Sequence, residues 1–222
     1  MMTFVRWIFS PKHYELKIVF VTLSILIMMP VISVVVFASS GLALVSETLA
    51  VLNPITHLVE IFDPNGNKID EIEITTVWPT RGVVTDEFGT YGEFRQHLKL
   101  GPHSGIDIAN EYGLIGEPVT TIYDGKVIRV DNVDDSSCGR NVLIEHSQNI
   151  KSIYCHLSVA SAIENTEVKP GDIIGLMGSS GTSTGPHLHL GVYVYGIPVN
   201  PRTFMVGEPE GSTVKSVLDV AF

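Results

Sequence analysis

The sequence predicts an all-β protein in which one N-terminal transmembrane helix precedes a compact domain of antiparallel strands. Three observations predict this architecture. From Thr76 onward, short β-rich runs alternate with Gly, Pro and Asp residues that favour turns. That part of the sequence contains no amphipathic helical pattern of ordinary length. Near the N-terminus, a run of 21 residues carries no charge.

The uncharged run covers residues 18–38 and reads IVFVTLSILIMMPVISVVVFA. A helix needs about 20 apolar residues to cross the core of a bilayer, so this run predicts a transmembrane helix. Three basic residues lie within residues 1–17, and the next basic residue is Lys68. The positive-inside rule therefore predicts that residues 1–17 are cytoplasmic and that the main domain lies outside the cytoplasm.

A cleavable signal peptide is the alternative interpretation of the same run, with a cleavage site at 38–40 (ASS). The apolar region of a signal peptide is usually only about 7–15 residues long, and this one is longer. The sequence therefore favours an uncleaved anchor in a single-pass membrane protein. Both interpretations export the same domain.

Charge and cysteine content restrict the class of the exported domain. Beyond residue 40 the chain has 11 Lys and Arg residues against 23 Asp and Glu residues. Nucleic-acid binding depends on neutralising phosphates, so this acidic domain is not expected to bind nucleic acid. The two cysteines, Cys138 and Cys155, flank one predicted hairpin. A disulfide is favoured for an exported domain, and two separately buried thiols are the alternative.

Residues 39–75 predict a linker followed by a β-hairpin. Residues 39–56 connect the membrane segment to the rest of the chain. Residues 57–75 carry apolar residues on both sides of a DPNG turn at 63–66, and this turn chemistry is typical of a hairpin. The hairpin is either a separate small element or the first part of the main domain.

Residues 76–207 form the predicted main domain, and residues 208–222 form a C-terminal tail. Asp124-Gly125 lies between two strand-like halves and predicts a hairpin. Two further strands flank residues 147–149 (SQN). Pro170-Gly171 predicts another turn before the next strand.

Two histidines stand two residues apart in an apolar run that follows a Gly, Ser and Thr stretch. Side chains alternate between the faces of a strand, so His187 and His189 are expected to share one face, with Leu188 and Leu190 on the other. Paired imidazoles on a polar face indicate a metal site or a proton-transfer site. Two solvated strand residues are the alternative.

A second group of candidate ligands lies in the segment GPHSGIDIAN, where His103 and Asp107 are four residues apart. The segment is too rich in Gly and β-branched residues for a comfortable helix. As a loop that runs into a strand, it allows both side chains to converge on one ion, and imidazole and carboxylate are both zinc ligands.

In the run IYCHLS, alternation predicts that Tyr154 and His156 share a face and that Cys155 lies on the other. A simple Tyr–His hydrogen bond is the alternative. The whole inventory is three potential metal ligands, two further imidazoles and a tyrosine. A catalytic zinc site needs three protein ligands and groups that move protons.

Two other motifs offer alternative chemistry. GTSTG at 181–185 matches the G-x-S-x-G pattern of serine hydrolases, with Ser183 as the nucleophile. That motif requires a strand, a sharp turn and then a helix, whereas Pro186 and an apolar strand follow here. A phosphate-binding loop at GSSGTSTG is disfavoured because it has no Lys before Ser or Thr and opens no helix.

Between about Trp78 and Phe204 the chain resembles the M23 family of zinc metallopeptidases, the lysostaphin-type or LytM-type peptidoglycan endopeptidases. The resemblance rests on five motifs in order: HSGIDIA (103–109), DGKVI (124–128), YCHLS (154–158), VKPGDIIGLMGSSGTSTGPHLHL (168–190) and GIPVNP (196–201). It implies a compact, LytM-like antiparallel β fold with one Zn²⁺ ion at the floor of a groove.

The resemblance also implies a role for each site residue. Three side chains are implied to bind zinc: His103, Asp107 and His189. His156 and His187 are implied to be unligated catalytic imidazoles. Tyr154 is expected to project into the groove and to help polarise the substrate carbonyl.

The implied activity is zinc-dependent hydrolysis of peptide bonds in peptidoglycan stem or cross-link peptides. Three positions depart from the family pattern: Leu190-Gly191 replaces a frequent Phe-Glu pair, Thr90 replaces a frequent Arg, and Cys155 replaces a frequent small residue. None of these departures removes an implied ligand. The alternative is a non-catalytic peptidoglycan-binding or amidase-activating module, but the presence of all five site residues favours an enzyme.

Overall fold

The computed structural model describes residues 46–147 and 149–211, apart from the Phe94 side chain. The predicted cytoplasmic segment, the predicted transmembrane helix at 18–38 and the last eleven residues of the predicted tail lie outside the described residues. In the part of the chain that is described, no helix is long and apolar enough to cross a membrane.

The described part consists mainly of short strands. Residues 46–49 are helical, helix α1 covers Glu93–His97, and a 3₁₀ helix covers Pro201–Phe204. The strands are β1 (Ala50–Leu52), β2 (Leu58–Phe62), β3 (Lys68–Glu73), β4 (Val83–Asp86), β5 (Ile106–Ala109), β6 (Pro118–Thr120), β7 (Gly125–Asp131), β8 (Arg140–Ser147), β9 (Ile150–Ala160), β10 (Glu167–Val168), β11 (Ile173–Met177), β12 (Leu188–Val194) and β13 (Ile197–Val199).

Strands β1 to β3 form a separate three-stranded antiparallel sheet. The hairpin β2–β3 has the predicted turn, in which the Asp63 carboxylate accepts hydrogen bonds from the backbone N–H groups of Asn65 and Asn67. Val59 and Ile61 are fully buried in the core. The hairpin thus has a sheet of its own, while Val59 and Ile61 belong to the same hydrophobic core as the strands that follow.

The other ten strands form one antiparallel sheet with the central order β10-β7-β8-β9-β12-β5-β4. This arrangement confirms the predicted all-β, antiparallel class. The hairpin β8–β9 is formed as predicted. The neighbours β9, β12 and β5 lie at the middle of this order, and they carry most of the candidate site.

The hairpin predicted at Asp124-Gly125 is wrong. Strand β6 pairs with β11, and β7 pairs with β8 and β10. The chain leaves β6 through Thr121, whose N–H donates to the Asp172 carbonyl and whose carbonyl accepts from the Gly171 N–H. Asp-Gly turn chemistry is a local signal, and here a partner about 50 residues away in the sequence determines where β6 pairs.

Strand β12 separates the core from a polar groove. Leu188, Leu190, Val192 and Val194 are all buried in the core, whereas His189 lies on the opposite face and lines the groove. The alternation predicted for this run is therefore present. It matters for the site because burial of the four apolar side chains fixes which way the histidine points.

Candidate metal centre and its groove

Three side chains that are distant in the sequence meet at one point. The Nε2 atom of His103 lies 2.9 Å from Nδ1 of His189 and 2.9 Å from Oδ1 of Asp107. The Asp107 Oδ1 atom lies 2.8 Å from Nδ1 of His189. These three residues are the ones that the sequence singled out as metal ligands, and the described structure brings them together.

The strand register creates this meeting point. Strands β5 and β12 pair so that Asp107 and His189 are direct cross-strand partners, and paired residues project on the same face. His103 lies in the loop just before β5 and is fully buried. Gly105 allows the close approach, since a Cβ atom there would stand 2.1 Å from the Leu190 carbonyl oxygen and 2.9 Å from Cε1 of His189.

The His103 ring is oriented from behind. Its Nδ1–H donates to the carbonyl oxygen of Glu87 at 3.0 Å, and the Asp86 carboxylate lies 3.4 Å from the same nitrogen. The Glu87 side chain in turn forms a two-point ion pair with Arg202, at 2.8 and 3.2 Å. Arg202 lies over the Trp78 ring. The hydrogen bond that His103 donates from Nδ1 fixes the tautomer of the ring and leaves the lone pair on Nε2.

The electrostatics of the cluster favour a bound cation. Burial by itself would raise the pKa of the Asp107 carboxyl, but its close contacts with the His103 and His189 imidazoles outweigh burial and hold that pKa well below its usual value. Burial lowers the pKa of His189 despite its bond to Asp107. The cluster therefore combines an ionised carboxylate with imidazole nitrogen acceptors in mutual contact, and such acceptors repel one another unless positive charge lies between them.

The donor set fits zinc. Two imidazole nitrogens and one carboxylate oxygen are typical ligands of a catalytic zinc ion, which takes three protein ligands and keeps one position open. Because Nδ1–H of His103 is committed to the Glu87 carbonyl, the Nε2 lone pair stays available to a metal ion that Asp107 would also bind. The residues present therefore fit a Zn²⁺ ion.

Two further imidazoles lie beside the cluster. The His187 Nε2 atom is 3.6 Å from Oδ2 of Asp107, and its Nδ1–H donates to the Gly185 carbonyl at 2.8 Å. The His156 Nδ1–H donates to the Ser180 carbonyl at 2.7 Å, and its ring centre is 4.7 Å from that of His187. Burial, followed by the nearby His187, lowers the pKa of His156 to about 4.

The predicted partnership of Tyr154 with His156 is wrong. Regular alternation would put both side chains on one face, but the backbone of His156 is left-handed, with φ of 61°, and the β8–β9 register shifts in this region. Cys155 pairs with His189 and faces the groove. The reversal at His156 then turns its imidazole to the groove as well.

Tyr154 instead lies in the core and is fully buried. Its cross-strand partner is the buried Leu190. The phenol oxygen accepts from the backbone N–H of Ile122 at 3.1 Å and from the Ser152 hydroxyl at 3.0 Å. Burial raises its pKa. These contacts stabilise the core, so Tyr154 does not reach a substrate in the groove.

The site opens into a groove of about 880 Å³. Its walls combine loops with the end of β4 and helix α1, and the polar lining residues include Thr85, Thr90, Arg95, Ser137, Thr182 and Thr184. The catalytic serine considered from the sequence does not fit. Ser183 Oγ donates to the Gly185 carbonyl at 2.7 Å, and the nearby Nδ1–H of His187 is already committed to that same carbonyl.

Cys138 and Cys155 form a disulfide, and both residues line the groove. The backbone carbonyl of Cys138 accepts a hydrogen bond from the N–H of His156 at 2.9 Å.

Two contributors to the site carry no sequence signal that could have found them. Glu87 and Ser180 orient His103 and His156 through backbone carbonyl oxygens, and every residue type has such an oxygen.

An antiparallel β domain with a His, Asp and His cluster at the floor of a groove, beside two unligated imidazoles, defines the class of a metallopeptidase domain. Residues 101–201 match the model of peptidase family M23. The matched segment contains all five candidate site residues, so the chain is similar to this family over the part that carries the site.

Curated relatives include both enzymes and an activator. The chain is 38% identical over 108 residues to the DD-carboxypeptidase/endopeptidase Mpg of Neisseria meningitidis serogroup B, an alignment that covers 49% of this chain and 24% of the relative. It is 34% identical over 128 residues to the murein hydrolase activator NlpD of Salmonella dublin, which covers 58% of this chain and 30% of the relative. The chain thus spans less than a third of these relatives.

Among solved structures, a zinc-containing peptidase from Vibrio cholerae is similar, with a TM-score of 0.52 and 28% identity. The similarity covers 68% of this chain and 47% of that one.

Proposed function

We propose that the chain is a zinc-dependent endopeptidase that hydrolyses peptide bonds in the stem or cross-link peptides of peptidoglycan. One observation carries the proposal: His103, Asp107 and His189 converge at the floor of an open groove, and His156 and His187 line the same groove beside them. The similarity to a Vibrio cholerae protein named as the peptidoglycan DD-endopeptidase ShyA, 39% identical over 102 residues, supports peptidoglycan as the substrate class.

His103, Asp107 and His189 would hold the ion. A zinc ion bound there supplies Lewis acidity, which polarises a carbonyl oxygen and lowers the pKa of a bound water to about 7. The chain contributes the orientation of the ligands. The Glu87 carbonyl holds the His103 ring, and the pairing of β5 with β12 holds Asp107 against His189.

His156 and His187 would move protons. Each ring donates from Nδ1 to a backbone carbonyl, Ser180 for His156 and Gly185 for His187. In its neutral form each ring therefore presents the lone pair of Nε2, and it must take up a proton before it can donate one from that atom. The low pKa of His156 keeps that ring a proton acceptor at neutral pH.

The groove would orient the substrate peptide across the cluster. The serine and threonine hydroxyl groups on its walls offer hydrogen-bond partners to a peptide backbone. The buried position of His103 limits water on one side of the cluster, while the groove face stays open to a polymer chain.

We further propose that residues 18–38 anchor the protein in the cell membrane, with residues 1–17 in the cytoplasm and the peptidase domain outside it. The uncharged run of 21 residues and the basic residues before it support this arrangement. An enzyme anchored in this way would work on wall polymer that lies close to the membrane.

The test uses the full 222-residue chain, purified in detergent, with isolated peptidoglycan as the substrate. Mass spectrometry of the released muropeptides identifies the bond that is cut. We expect cleavage that a chelator abolishes and Zn²⁺ restores, and that a serine-directed inhibitor leaves unchanged. His103→Ala and Asp107→Ala should lose both zinc and cleavage. Cleavage that persists in metal-free protein would refute the proposal.

A second candidate function is activation of a separate wall hydrolase without catalysis. The similarity to NlpD, named as an activator, favours it. The same assay discriminates the two functions. A zinc-loaded chain that cleaves no wall preparation alone, but stimulates a purified amidase, would establish the activator.

A further inference from the structure

His156 reaches the groove only because its backbone departs from a regular strand. Its φ of 61° is a left-handed conformation that non-glycine residues rarely adopt. With regular alternation it would follow Tyr154 toward the core. A residue in such a conformation keeps it only where the surrounding structure enforces it, so the contacts around His156 determine where its imidazole lies.

Two hydrogen bonds enforce the conformation. The backbone N–H of His156 donates to the Cys138 carbonyl at 2.9 Å, and its ring Nδ1–H donates to the Ser180 carbonyl at 2.7 Å. Both acceptors belong to loops outside β9. The residue immediately before His156 is Cys155, which is covalently joined to Cys138. The disulfide therefore ties the first acceptor directly to the strand that carries the imidazole.

The two acceptor loops are also joined to each other. The N–H of Thr182 donates to the Ser137 carbonyl at 2.9 Å, and the N–H of Gly181 donates to the Asp134 carboxylate at 2.5 Å. Gly139 approaches so closely that a Cβ atom there would lie 2.5 Å from the backbone nitrogen of Gly181. The disulfide thus fastens one unit that contains both hydrogen-bond acceptors of His156.

We propose that the Cys138–Cys155 disulfide is a positioning element for His156, and that its reduction releases the imidazole from the groove and slows the chemical step. The proposal rests on the proposed function only in taking His156 as a group that moves protons. The placement itself is independent of activity. Cys155 is buried, whereas Cys138 is partly exposed at the groove, so a small reductant would reach the bond from the Cys138 side.

The chemical step is a two-electron reduction with a water-soluble phosphine. The phosphorus attacks one sulfur and the S–S bond breaks. Water then hydrolyses the thiophosphonium adduct. Each sulfur ends with one proton, and the phosphine becomes its oxide with the oxygen of that water. A phosphine is chosen because a dithiol reductant would also bind zinc.

The experiment uses the full-length, zinc-loaded protein in four forms: wild type, the double variant Cys138→Ser/Cys155→Ser, His156→Gln and Val133→Ser. Val133 is an exposed residue of the loop between β7 and β8 that also carries Cys138, so its variant is the matched control. For each form, kcat, KM and zinc content are measured before and after phosphine treatment. Histidine ¹H–¹⁵N spectra report which ring nitrogen of His156 carries the proton, with His156→Gln assigning the signal.

We expect reduction of the wild type to lower kcat by about 100-fold, the usual scale for a misplaced catalytic group. KM and zinc content should change by less than about twofold, because the ligands and the remaining groove are untouched. The double variant should have the kcat of the reduced wild type before treatment, and the phosphine should not change it. Val133→Ser should behave as the wild type does. The His156 signal should lose its fixed Nδ1–H form.

The proposal is overturned if the reduced wild type and the double variant keep both their kcat and the Nδ1–H signal of His156. It is also overturned if zinc is lost together with activity, since the disulfide would then support the whole domain. Should no form cleave any wall substrate, the proposed function fails. The His156 spectra then decide the positioning role alone, supporting it if the Nδ1–H form is lost on reduction and refuting it if that form persists.

Discussion

His103 and His189 are 86 residues apart in the chain, yet Nε2 of one lies 2.9 Å from Nδ1 of the other. Both nitrogens also contact one oxygen of Asp107. Two imidazoles come this close only where a proton or a cation lies between their lone pairs. The contact is therefore the part of the structure from which a metal site follows most directly.

The two histidines of the His-x-His run should behave differently on substitution. His189→Ala removes a ligand, and we expect it to lose both zinc and activity. His187→Ala leaves the three ligands in place, so zinc should stay near one ion per chain while activity falls by about 10²–10⁴-fold, as for loss of a proton-transfer group. Metal analysis of the purified full-length variants checks this. Zinc lost from His187→Ala but kept by His189→Ala would reverse the assignment.

Gly105→Ala should damage the metal site without removing a ligand. The new methyl group would stand 2.1 Å from the Leu190 carbonyl oxygen, so β5 and β12 must separate. We expect a loss of about 1–3 kcal/mol in stability and a zinc affinity lower by about 10-fold or more. Gly92→Ala is the matched control, because a Cβ at that position meets nothing within 4 Å. Equal zinc affinity in the two variants would contradict the prediction.

Tyr154→Phe should cost stability and spare catalysis. The phenol oxygen accepts a hydrogen bond from the buried N–H of Ile122, and an unpaired buried donor costs about 1–3 kcal/mol. We expect a lower urea midpoint with kcat within about threefold of wild type. Tyr112→Phe, at an exposed position, serves as the reference. A large fall in kcat at unchanged stability would contradict this prediction and support a role for Tyr154 in catalysis.

The low pKa of His156 predicts how stability responds to acid. In the unfolded chain this histidine takes up a proton near pH 6.5, whereas in the folded chain it does so only near pH 4. The unfolded state therefore binds more protons within this window, and stability is lost as the pH falls from 6.5 to 4. The contribution is on the order of 3 kcal/mol.

Urea unfolding of metal-free full-length protein at several pH values measures this effect. His156→Gln should show a smaller loss over the window than wild type, and the difference isolates this histidine from the others. Parallel stability curves for the two proteins would show that the imidazole is not desolvated.

Much of the site could be predicted because it follows from periodicity and side-chain chemistry. The run Leu188–Val194 alternates strictly, and the structure keeps that alternation, with His189 turned to the groove. The similarity to peptidase family M23 was also predicted correctly from short motifs with fixed order. In both cases the signal lies in the side chains themselves.

The failures share a different cause. Tyr154 and His156 lie on opposite sides of the sheet because His156 adopts a left-handed φ, and no local sequence pattern predicts a reversal that tertiary contacts enforce. The hairpin at Asp124-Gly125 failed because β6 pairs with a distant strand. Backbone conformation and long-range pairing are decided by the whole fold, so a short window of sequence does not reveal them.

The direct pairing of Asp107 with His189 has a consequence for errors in folding. If β5 slipped by one residue along β12, Asp107 would no longer pair with His189. The same slip would move the buried side chains of Ile106 and Ile108 out of the hydrophobic core. A sheet with the wrong register would therefore lose the metal-ligand cluster and part of the hydrophobic core together. The strand register that buries Ile106 and Ile108 is therefore also the register that places Asp107 beside His189.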